Sequence, residues 1–136
     1  MAKMTPSKED YLRTLLELSE QNDEIHSIEI ATILCVSRAS VSRMMTILKE
    51  ERYIAMERYG TVALTESGRE IALVIRRRRD ILKEFLVKVL GVEEKTAACD
   101  ACRMEHTISQ ETTEKLDKKM QRLTDCVKLT GISGEV

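Results

Sequence analysis

The sequence has no tryptophan and a single phenylalanine, and aromatic residues make up 3% of its 136 positions. A ring-stacked core is therefore excluded, and the interior must be built from Leu, Ile, Val, Ala and Met, a composition that favours helices. Net charge is almost missing as well. With 22 basic residues against 23 acidic ones, no general attraction for nucleic acid exists, and any DNA contact must come from local patches. No apolar run reaches the roughly 18–20 residues that span a bilayer, and the opening Met1-Ala2-Lys3-Met4-Thr5-Pro6 lacks the apolar stretch of an export signal. These absences point to a cytoplasmic protein with no membrane partner. Internal repeats and low-complexity segments are also lacking. In a reduced compartment Cys35, Cys99, Cys102 and Cys126 are not expected to form a disulfide framework, so at least one of them invites a ligand or redox role.

What is present is helical periodicity in an ordered series. Tyr11, Leu12, Leu15, Leu16 and Leu18 mark the apolar face of a first helix that follows Pro6 and ends near Gln21-Asn22-Asp23, with Asp10, Arg13 and Glu17 on its polar stripe. Ser27 is expected to cap a short helix, Cys35-Val36-Ser37 to form a turn, and Ser37 to cap a second helix that stops around Glu51-Arg52-Tyr53. Two short helices joined by a tight turn form a helix-turn-helix. Strands over residues 53–57 and 61–64, around Arg58-Tyr59-Gly60, then form a hairpin wing. Thr65 starts a long helix that Gly91 ends. Further helices are expected over 92–107 and after Ser109, which can cap the last one, and the tail 131–136 is expected to fray. The fold class is mainly α with a small β-hairpin: an N-terminal winged helix-turn-helix over 1–71 and a helical dimerisation domain over 72–136.

A helix that reads the major groove needs small polar or basic side chains in its first two turns and apolar ones facing inward. Ser37-Arg38-Ala39-Ser40-Val41-Ser42-Arg43 fits. Ser37, Ser40 and Ser42 can donate to phosphates or base edges, Ala39 can touch a thymine methyl, and Arg43 can bind guanine or phosphate. Ser7, Lys49, Arg58 and Tyr59 are candidate backbone contacts. One module offers too small an interface for tight specific binding, so a homodimer on a palindromic site in double-stranded DNA is expected.

The sharpest local signal is Cys102-Arg103-Met104-Glu105-His106. On a helix, positions i, i+3 and i+4 share a face, which gathers a thiolate, a carboxylate and an imidazole. Thiolate with imidazole suits a borderline ion such as Fe(II), Co(II), Ni(II) or Zn(II) better than Mg(II) or Ca(II). On spacing alone, a small buried cysteine beside a solvated Glu-His edge is the plainer account of the pattern, with metal binding as the sharper one beside it.

The order of elements and four blocks resemble the diphtheria toxin repressor family of iron- and manganese-dependent regulators, over residues 7–123. The blocks are Glu9-Asp10-Tyr11-Leu12, residues 37–43, Leu64-Thr65-Glu66-Ser67-Gly68, and Ala101-Cys102-Arg103-Met104-Glu105-His106. The resemblance implies a regulatory metal held at Cys102, Glu105 and His106, with Asp10 as fourth ligand. Iron-type members carry the Cys and manganese-type members an Asp on the first helix, so this chain mixes the two; by softness Fe(II) is expected, with Mn(II) close behind and Co(II), Ni(II) or Zn(II) as substitutes. The family's second metal position falls on Arg13, Arg79, Lys83 and Ala98, which cannot ligate a cation, so one regulatory site per subunit is expected, with Arg13 or Arg79 supplying the missing positive charge. The SH3-like C-terminal domain of longer members is expected to be absent.

Other readings stand beside this one. Arg76-Arg77-Arg78-Arg79 winds around its helix and reads as a solvated structural run. Cys99 and Cys102 form a Cys-x-x-Cys spacing, and a winged-helix regulator that senses oxidants through them without metal is the alternative. Cys35 and Cys126 read as packing residues. Catalysis by Cys102 with His106 as base is not expected, because no Gly-rich elbow or oxyanion-hole loop accompanies them.

Overall fold

The computed structural model describes residues 4–130, with side chains through 126; the tail 131–136, expected to fray, lies outside the described residues. The chain divides into two compact units, Met1–Ile75 and Arg76–Val136.

The first unit opens with α1 (Pro6–Gln21), whose N-cap Thr5 accepts the Lys8 N–H. A two-residue strand β1 (Ile25–His26), α2 (Ser27–Leu34), α3 (Arg38–Glu50), β2 (Ile54–Met56) and β3 (Thr61–Leu64) follow, and then the start of α4 (Glu66–Lys88). The wing is a three-stranded antiparallel sheet, not a bare hairpin. Its order is β1-β3-β2, with Ile25 opposite Val62, and Ala55 opposite Ala63. Two residues are too few to show alternation in a sequence, which is why β1 escapes a periodicity search. Ser27, expected as a cap, is instead the first residue of α2; His26 is the cap, and its N–H donates to the Glu29 carboxylate at 3.1 Å. Leu12, Leu15, Leu16, Ile30, Val41 and Leu48 form the centre of the core, together with Ile25, Ile54 and Val62 from the sheet. Each such side chain contributes about 1.5–3 kcal/mol by leaving water.

Gly68 marks a close approach within this unit. A Cβ there would run into the Tyr53 carbonyl oxygen, so α4 can begin against the end of α3 only with hydrogen at that position. Thr65 Oγ1 and Ser67 Oγ both donate to the Arg52 carbonyl, at 2.7 and 3.1 Å, and the Thr65 N–H donates to the Tyr53 carbonyl.

In the second unit, the later turns of α4 are followed by α5 (Glu94–Met104) and α6 (Gln110–Thr130). Gly91, at φ +70°, ends the turn after α4, and Ser109 caps α6 by accepting the Thr112 N–H. Leu82 and Leu86 of α4 pack with Ala97 and Ala101 of α5; the two alanines, fully buried, let the helices approach closely. Cys35 and Cys126 are exposed, so the expected packing role is wrong for both. Among the described residues, no single helix is long and apolar enough to cross a membrane.

Candidate DNA interface and metal centre

The reading element is built from the α2–α3 pair. Cys35, in the left-handed region at φ 54°, starts a three-residue turn, and the two helices are bent 116° from one another, within the range of a helix-turn-helix. Val41, Met45 and Leu48 point inward, leaving Arg38, Ala39, Ser42, Arg43 and Thr46 exposed on the opposite face. Ser37 Oγ accepts the Ser40 N–H at 3.1 Å and donates to Ser40 Oγ at 2.9 Å. Ser37 is thus committed to capping, while Ser40, half buried, keeps its own hydroxyl hydrogen for an outside acceptor. Arg38 and Thr46 were not among the predicted contacts; an i+3/i+4 count from Ala39 and Ser42 would have found Thr46. Lys49 is exposed in the last turn of α3, and Ser7 in the first turn of α1. Arg58 and Tyr59 occupy the wing tip, where Tyr59 has φ 66° and is 95% exposed.

One ion pair ties this unit together: Lys8 Nζ lies 2.6 Å from Glu51 Oε1, joining the first turn of α1 to the C-cap of α3, with both side chains largely shielded from solvent. Asp10 lies two residues further along α1, and Arg13 Nη2 is 3.5 Å from its Oδ1.

In the second unit the predicted ligands sit where α5 ends. The helix stops at Met104, earlier than expected, and Glu105 is its C-cap, still helical in φ and ψ and bonded from its N–H to the Ala101 carbonyl at 3.0 Å. Ala97, Ala101 and Glu105 follow one another at i+4 spacing, so Glu105 extends the inward face of α5. It is fully buried, and His106 Nε2 lies 3.4 Å from its Oε1. Cys102, inside the regular helix, is half buried, and Cys99 is exposed. A carboxylate with no solvent exposure is held by a proton, by hydrogen bonds or by a positive charge close by, and a thiol, a carboxylate and an imidazole together are a donor set that suits a borderline divalent cation.

Comparison with known proteins agrees with this chemistry. Residues 3–62 match the iron dependent repressor N-terminal DNA binding domain, and residues 65–132 match the metal binding and dimerisation domain of the same repressors. The chain belongs to the iron-dependent repressor family. Members of this family are metal-dependent DNA-binding transcription regulators, not enzymes, and membership favours the metal reading over the thiol-redox one. An uncharacterized HTH-type transcriptional regulator of Methanocaldococcus jannaschii is 38% identical over 91% of this chain and all of its own length. The HTH-type transcriptional regulator MntR of Bacillus subtilis is 30% identical over 86% of this chain and 82% of its own. The solved structure of the manganese regulator SloR superposes with a TM-score of 0.75 at 33% identity, over 87% of this chain; the chain spans 55% of SloR.

Proposed function

We propose that this repressor's hold on DNA is set by one divalent ion per subunit, Fe(II) or, second, Mn(II), and that it governs genes of metal homeostasis in the cytoplasm. The ligands are Asp10, Cys102, Glu105 and His106. The observation that carries this reading is the turn after α5, where a fully buried carboxylate has an imidazole 3.4 Å away and a half-buried thiol one helical turn before it. When bound, the ion supplies two positive charges shared by carboxylates that otherwise repel. The softness of Cys102 favours Fe(II), Asp10 keeps Mn(II) close behind, as does similarity to the manganese regulator SloR, and Co(II), Ni(II) or Zn(II) can substitute. Arg13, beside Asp10, supplies fixed positive charge and disfavours a second ion.

Asp10 belongs to the DNA-reading part, 1–71, and the other three ligands to the dimerisation part, 72–136, so binding metal fixes the reading heads of a homodimer. Ser37 sets the start of α3; Ala39, Ser40, Ser42 and Arg43 face a palindromic operator in successive major grooves roughly 34 Å apart, and Ser7, Lys49, Arg58 and Tyr59 hold its phosphates. Metal affinity and DNA affinity then rise together by linkage. The test is an anaerobic titration of operator binding against Fe(II), Mn(II), Zn(II) and Co(II): tightening on metal addition is expected. A chelator-stripped protein that binds as firmly as the loaded one would refute the proposal.

A further inference from the structure

The polar end of the α4–α5 packing seam lies next to the proposed ligand turn. On α4, Leu86 and Leu82 are buried, and one more step of four residues toward the N-terminus reaches Arg78; on α5, Ala97 and Ala101 are buried, and one more step of four toward the C-terminus reaches Glu105. The two extensions meet. Arg78 Nη1 donates to the backbone carbonyl of Glu105 at 3.1 Å, and Arg78 Nε is itself buried.

The last carbonyls of a helix have no intrahelical donor, and they carry the negative end of its dipole. At α5 the Met104 carbonyl accepts the Thr107 and Ile108 N–H groups, while the Glu105 carbonyl receives the Arg78 guanidinium. Glu105 is therefore held from both sides of its Cα: its N–H by Ala101 and its C=O by Arg78. Fixing that peptide fixes where the Glu105 side chain starts and where His106 follows. We infer that Arg78 is a positioning residue for the metal centre, holding the Glu105–His106 backbone in a ligating arrangement before any ion arrives. The inference rests on the ligand assignment proposed above. Outer groups that orient metal ligands typically contribute about 10–100-fold to metal affinity.

The test uses the full-length chain, anaerobic, with Co(II) as probe. Arg78→Met keeps the apolar stem and removes the donor. It should bind Co(II) about 10–100-fold more weakly, with a changed Co(II) absorption spectrum and faster hydrogen exchange at the Thr107 and Ile108 amides in the metal-free protein. Arg78→Lys, which retains a cationic donor, should recover most of the loss. Arg78→Gln is read in the same way should the Met variant not fold. Wild-type Co(II) affinity and absorption in either neutral variant would overturn the inference. Glu105→Gln separates the two proposals: if it binds Co(II) like the wild type, the ligand assignment fails, whereas loss of binding there with none at Arg78 removes only the role of Arg78.

Discussion

Lys8 and Glu51 meet at 2.6 Å across 43 positions of sequence, and in doing so they fasten α1, which carries Asp10, to the end of α3, the proposed reading helix. Both side chains are mostly shielded, so removing one leaves a poorly solvated charge. Glu51→Gln should lower stability by about 1–3 kcal/mol, less than a fully buried pair because some solvent reaches both groups. Urea unfolding measures it. An unchanged midpoint would show that the pair adds nothing to the fold.

Gly68 sits against the Tyr53 carbonyl without room for a methyl group. Gly68→Ala should destabilise by about 1–3 kcal/mol or more through forced displacement of α4, seen as a lower melting temperature. A substitution at Gly60, whose Cβ would meet open space, should cost only the strain of its φ of +74°.

Arg43 is exposed on the outward face of α3. Arg43→Ala should weaken operator binding by about 1–3 kcal/mol while metal affinity measured without DNA stays at the wild-type value. Parallel loss of both would contradict a division between reading and sensing residues.

Cys102 is the soft donor of the proposed set. Cys102→Glu should move preference from Fe(II) and Co(II) toward Mn(II), because a carboxylate oxygen suits the harder ion. Competition titrations report the ratio, and an unaltered ratio would remove Cys102 from the coordination sphere.

Tyr11 titrates above its usual value because burial disfavours the phenolate. A raised folded-state value means that the unfolded chain loses its proton first. The stabilisation is therefore complete below the ordinary tyrosine range and disappears as pH rises through the higher folded value. Tyr11→Phe should flatten the alkaline fall in stability, followed as denaturation midpoint against pH above about 10.

Much of this was legible in the chain, for reasons that differ from element to element. The long helices show because apolar residues recur every three or four positions over many turns, and Ser37 and Ser109 show as caps because a serine directly before such a run has a mechanical role. Strand β1 did not show, since Ile25 and His26 are ordered by their partners Val62 and Thr61 and not by any local pattern. The end of α5 was placed too late for a related reason: Glu105 looks like helix by periodicity and is helical in dihedrals, yet the chain turns immediately after it. The pairs Lys8–Glu51 and Arg78–Glu105 are contacts between distant segments, which no spacing rule can reveal. For the proposed ligand turn, spacing left two readings open, and the burial of Glu105 is what sets it apart from an ordinary solvated glutamate.

On the proposed assignment, the three donors near the end of α5 differ in how freely they can be exchanged. Glu105 and His106 lie at a backbone turn where the Glu105 carbonyl is held by Arg78, whereas Cys102 lies inside the regular α5, where a change of side chain leaves the backbone hydrogen bonds in place. A lineage could therefore retune its appetite for one transition element over another by a single codon, leaving the surrounding scaffold, and the promoter it recognises, as inherited.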